Sequence, residues 1–114
     1  MIPGEIHLAM FPFGGTVGAK LRPVLLLTGP LGIVPEVLTA YMTSIIPPAL
    51  LPTDILIDPS QPQHAGTGLK QATLLRLHKL ATIHDRDIVR RLGLLSGSTW
   101  SEVETKLRLL LNLP

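Results

Sequence analysis

Residues 5–11 alternate in character: Ile6, Leu8 and Met10 fall on one side, Glu5, His7 and Ala9 on the other. A two-residue period predicts a half-buried strand. Residues 12–20, PFGGTVGAK, hold three glycines and read as a flexible connection whose backbone can approach a ligand closely. A second strand is predicted over 22–28, RPVLLLT, with Pro23 at its start or on an edge. GPLG at 29–32 is a turn. A third strand runs over 37–43, with Val37, Thr39 and Tyr41 on one face and Leu38, Ala40 and Met42 on the other. Pro47, Pro48 and Pro52 make a loop, followed by a short strand at 54–58, a polar loop at 59–68 and a strand at 74–83. Residues 88–95 carry two signals. Ile88 and Val89 favour strand, Asp85 and Asp87 a helical opening; strand is the expectation adopted.

The C-terminal segment changes period. Trp100, Val103, Leu107, Leu110 and Leu111 fall on one face of a helix of about a dozen residues. Thr99 and Glu102 have the spacing of a capping box, which places the helix start at Thr99. Glu102–Lys106 and Glu104–Arg108 are helix-stabilising pairs in the favourable orientation. Five or six short strands punctuated by glycine and proline, then one amphipathic helix, predict a mostly β (α+β) barrel or sandwich. The expected organisation is one domain over residues 1–114.

Composition adds an expectation about partners. Hydrophobic residues make up 46% of the chain and charged residues 16%, which favours apolar surface covered by a second subunit. No cysteine is present, so disulfides and thiolate metal sites are excluded. No basic region precedes an apolar run at the N-terminus, and no apolar stretch reaches the roughly 18 residues of a spanning helix. A cytoplasmic protein with no membrane contact is expected. Residues 1–57 carry two basic and three acidic side chains, residues 58–114 eight basic and five acidic. That asymmetry fits a nucleic-acid partner and equally a solvated basic face.

Most familiar chemistry is missing. His7, His64, His78 and His84 form no metal-ligand spacing, so no metal site is expected. There is no phosphate-loop, dinucleotide or nucleophile-elbow motif, and no cofactor is expected. Two spots stand out. Arg22 lies between the glycine-rich segment and an apolar strand, where a guanidinium at a barrel rim can grip a phosphate with two donors. An ordinary surface arginine paired with Glu36 or Asp54 is the alternative. Thr43 and Ser44 end the third strand, where two hydroxyls can donate to phosphate oxygens or simply form a turn.

These spots fall within a wider pattern. GGTVGAKLRPVLLL, then TAYMTS at 39–44, GLKQATLLRLHKLATI at 68–83, and RRLGLLS with a W-x-x-V-x-x-x-L helix together resemble the MazF/PemK family of toxin ribonucleases. The resemblance implies a small SH3-like barrel of MazF/CcdB type with a C-terminal helix, a homodimer, and a cognate acidic antitoxin. It also implies metal-independent cleavage of single-stranded RNA, in which the ribose 2′-hydroxyl attacks the neighbouring phosphate. Arg22 matches the loop arginine that stabilises charge and acts as acid, Thr43 the strand-end threonine that holds the phosphate, and Ser44 its helper. The candidate RNA contacts are Phe13 as a stacking platform, Gly15 and Lys20 of the glycine-rich segment, and Lys70, Arg76 and His78. His78 is also a candidate base, because its charge changes near neutral pH; a solvent-facing strand histidine is the other reading. The chain departs from relatives in lacking a carboxylate in the glycine-rich segment and in carrying Gly68, Lys70 and His78 where they often carry Arg and Asp residues. A CcdB-like gyrase binder, or a degenerate member that only docks an antitoxin, is the competing expectation.

Overall fold

The computed structural model describes residues 1–11 and 20–114. The glycine-rich segment, with Phe13 and Gly15, lies outside these described residues. The alternating segments form six antiparallel strands: β1 (Glu5–Phe11), β2 (Lys20–Leu26), β3 (Glu36–Thr43), β4 (Asp54–Ile57), β5 (Thr73–His84) and β6 (Ile88–Leu94). They make one sheet in the order β4-β5-β3-β2-β1-β6. Both signals at 85–95 are realised. Asp85–Asp87 forms a single 3₁₀ turn, and β6 follows at once.

Strand β2 begins two residues before the expected position and ends at Leu26. Thr28 leaves the ladder because its hydroxyl serves the turn, accepting from the Leu38 N–H at 3.1 Å and donating to the Gly29 carbonyl at 2.8 Å. Strand β5 is long because it serves two partners. Its first half pairs with β4, and it pairs with β3 on both sides of an irregularity, where Tyr41 faces Arg76 but Ala40 faces Leu80. Residues 77–79 form the bulge, which bends the sheet there.

Period-two alternation sorts the core into two clusters. One gathers Ile6, Leu25, Met42, Leu75 and Leu77 under the helix α1 (Gly97–Leu111), whose Trp100, Val103, Leu107 and Leu110 pack on it. The other gathers Ala9, Phe11, Val24, Leu26, Val37, Ile83 and Ile88. Each fully buried Leu or Phe contributes roughly 1.5–3 kcal/mol.

The helix start corrects the expected capping box. Ser96, not Thr99, is the cap: it is extended at φ −64 and ψ 157, and its Oγ accepts from the Thr99 N–H. Thr99 is already three residues inside, buried, with its hydroxyl 3.0 Å from Ser96 Oγ. Glu102 turns instead to Lys106 at 3.2 Å, and Arg108 to Glu104 at 3.7 Å. Leu111 is exposed and leaves the packed face, since Asn112 ends the helix in the left-handed region at φ 56.

The edge strands β4 and β6 do not pair with each other. On the β6 side, a 3₁₀ stretch, Pro62–Thr67, brings its backbone close to that of the strand. A Cβ at Gly93 would overlap the Gly66 carbonyl, and one at Gly68 would overlap the Leu92 carbonyl. Gly68 also sits at φ 73, where side chains are strained.

Candidate functional site

A cleft of about 360 Å³ opens where β2 begins and β3 ends. Its apolar lining includes Leu8, Met42, Leu69 and Leu92, and its polar lining Arg22, Thr43, Ser44, Lys70 and Arg90. The polar residues come from four separate parts of the chain: the start of β2, the end of β3, the segment between Gly68 and β5, and β6. Sequence positions 22, 43, 44 and 70, singled out one by one, thus line one concavity. No Asp, Glu or His is among the described lining residues.

Thr43 is buried, and its Oγ accepts from the Ile45 N–H at 3.1 Å. That bond fixes the hydroxyl oxygen and leaves its hydrogen available to donate. Ser44 is exposed beside it. Arg22 is half-buried at the rim, with its guanidinium carbon 5.6 Å from the centre of the Tyr41 ring. Lys79 Nζ lies 5.0 Å from the same centre. The Arg22 Nε is buried and has no hydrogen-bond partner among the described residues. The alternative pairing of Arg22 is not what the structure contains: Asp54 is engaged elsewhere, and Glu36 has no ion pair among the described residues.

Arg76 and His78 lie apart from this cleft. Asp54, whose side chain is fully buried, takes Arg76 in a two-pronged pair, and His78 Nδ1 stands 4.0 Å from the same carboxylate. Burial and then the Arg76 charge hold the His78 pKa below its ordinary value, against the opposing pull of Asp54. Arg76 and His78 therefore sit in a structural cluster, since a buried carboxylate requires such partners. Lys20 is exposed at the start of β2, opposite Phe11, and does not line the cleft.

Sequence reasoning passed over Arg90. The signal lay in the pair Arg90-Arg91 on a strand, where neighbours point to opposite faces. Arg91 is consumed, its Nε 2.6 Å from Glu5 Oε2, whereas Arg90 lines the cleft. No group of three or more metal-ligating side chains exists among the described residues. No helix among them is long and apolar enough to cross a membrane.

The family model described as "PemK-like, MazF-like toxin of type II toxin-antitoxin system" matches residues 2–111. The chain belongs to the PemK/MazF toxin family. The mostly β fold with one C-terminal helix is that of MazF-like proteins. The structure of Mycobacterium tuberculosis toxin MazF-mt6 superposes with a TM-score of 0.72 at 25% identity, covering 96% of this chain and 98% of that one. A mycobacterial endoribonuclease in complex with its cognate antitoxin gives 0.70 at 18% identity, covering 100% and 97%. Another mycobacterial endoribonuclease gives 0.66 at 17%, covering 100% and 93%. No curated protein matches the chain in sequence.

Proposed function

We propose that this PemK/MazF-family toxin is a metal-independent endoribonuclease acting on single-stranded RNA in the cleft between β2 and β3. One observation carries the reading: Arg22, Thr43 and Ser44, from distant points of the chain, line a single cleft that also carries Lys70 and Arg90. In the reaction the ribose 2′-hydroxyl gives its proton to solvent water, O2′ bonds to phosphorus and the P–O5′ bond breaks, leaving a cyclic phosphate and a 5′-hydroxyl. Negative charge grows on the phosphorane oxygens, where a half-buried guanidinium is worth far more than in water. Arg22 supplies that charge and a proton for the departing O5′, while Thr43 and Ser44 donate to the non-bridging oxygens.

The toxin works as a homodimer. Exposed Ile45, Ile46, Leu50 and Leu51 of the proline-rich segment between β3 and β4 support this, since such side chains are seldom left to water together. An acidic antitoxin that folds on binding would cover the cations of the cleft. A non-catalytic binding module is the second reading, favoured by the absence of any carboxylate or imidazole among the described lining residues, which leaves no resident base there.

The test is cleavage of a fluorogenic RNA in the presence of a chelator, with thermal melts of each variant. Arg22→Ala is expected to lose about 100- to 1000-fold in rate. Its stability should change by about 1 kcal/mol or less, the scale of a cation–aromatic contact. Arg22→Lys should rescue poorly, because a point charge does not reproduce the two-pronged grip. Thr43→Ala should lose less. Cleavage at the parental rate by a well-folded Arg22→Ala variant rules out this site. A parent that cleaves no RNA supports the binding-module reading.

A further inference from the structure

We propose that Arg90 anchors a phosphate of the bound RNA next to the one that is cleaved, a reading that rests on the ribonuclease assignment. The starting point is charge. Arg22, Lys70 and Arg90 line one cleft with no described carboxylate among them. Arg90 is exposed and makes no ion pair among the described residues, although Arg91, the next residue, is bound to Glu5. Uncompensated like charges around one concavity repel each other unless an anion enters. A polyanion relieves all three together, and single-stranded RNA is such a ligand.

The ladder tells which phosphate. Arg22 pairs with Ala9 and Arg90 with Leu8, from the two strands that flank β1. Two strand spacings separate their Cα positions by roughly 10 Å. The register of β1 with β6 shifts between Leu8 and Ala9, next to Arg90, so the two arginines stand at staggered positions on either side of β1. Arg22 lies against the Tyr41 ring, while Arg90, the ladder partner of Leu8, lines the cleft with Leu92. With Cα positions that far apart, each arginine serves its own phosphate along the strand. Leu8 and Leu92 beside Arg90 offer apolar surface to the intervening ribose or base. Arg90 is thus a positioning residue: it holds the strand in register while Arg22 meets the reacting phosphate.

The test uses an oligoribonucleotide with 2′-O-methyl groups, which lacks the attacking hydroxyl and is not cleaved. Its affinity is measured by fluorescence anisotropy over a range of salt for the parent, Arg90→Ala, Arg90→Lys and Arg91→Ala. Loss of one phosphate contact should reduce the slope of log affinity against log salt by about 0.7 in Arg90→Ala. Arg90→Lys should keep the parental slope. Arg91→Ala should also keep it while melting at a lower temperature, because Glu5 loses its partner. With cleavable RNA, Arg90→Ala should raise KM about tenfold and change kcat little. If Arg90→Ala retains the parental slope while the parent binds and cleaves, the Arg90 assignment is overturned and the ribonuclease reading stands. If the parent binds no RNA, both fall.

Discussion

Asp54 receives both prongs of Arg76, its Oδ1 accepting from Nε at 3.1 Å and its Oδ2 from Nη2 at 3.2 Å. The same carboxylate accepts the Leu51 N–H at 2.8 Å, and the Asp54 carbonyl accepts Lys106 Nζ at 2.8 Å. One residue of a four-residue edge strand therefore ties the preceding loop, β5 and the C-terminal helix together. Removing one partner of a buried pair strands the other charge in a poorly solvated place. Asp54→Ala should cost about 3 kcal/mol in urea unfolding. The fraction that stays folded should keep whatever RNA-cleavage rate the parent has, because Asp54 does not line the cleft. A variant as stable as the parent would show that the pair is dispensable.

The Glu5 carboxyl sets the acid limb of stability. Burial alone would raise its pKa, but the Arg91 guanidinium, the Ile2 N–H and His7 outweigh burial and hold it at about 2, against an ordinary 4.5. A carboxylate depressed in the fold stabilises at pH values above its unfolded pKa, and that contribution is lost as pH falls through the folded value. The parental urea midpoint should therefore fall as pH drops from about 4.5 to about 2. Glu5→Gln should have a lower midpoint at pH 7 and a flatter profile across that window. Parallel profiles for the two proteins would exclude Glu5 as the cause.

Much of this architecture was legible in the chain. The alternation of Ile6, Leu8 and Met10 marked β1 as a strand but not its buried side, since Glu5, His7, Ala9 and Phe11 are buried along with Ile6 while Met10 is exposed. Trp100, Val103 and Leu107 showed the face of the helix. The helix start was misread because Ser96 and Thr99 are both competent caps; only the backbone conformation at Ser96 decides between them. Arg76 looked like a free cation because its partner, Asp54, is 22 residues away in sequence. That pairing depends on strand order, which periodicity does not encode. Arg22 and Thr43 were each recognisable, but their shared cleft follows from β2 and β3 being neighbours. Arg90 was overlooked because two adjacent arginines look equivalent until a strand sends them to opposite faces.

Gly93 lies so close to Gly66 and Thr67 that a Cβ there would overlap both. Backbone meets backbone there, so no side-chain rotation can make room for an added methyl group. Gly93→Ala should lose about 1–3 kcal/mol in thermal or urea unfolding. Gly97→Ala is the control, since an added Cβ there meets nothing within 4 Å. Equal stability of the two variants would mean that the seam yields easily.

That seam also separates form from lettering. Between the Lys70 wall and the Arg90 wall of the cleft, main chain comes close to main chain at Gly68 and Gly93, and main-chain atoms are the same in every protein. Positions 70, 71 and 90 can therefore be rewritten without moving the walls they stand on. A lineage keeping two glycines in place would be able to vary what the cleft accepts on an unchanged frame, one lining residue at a time.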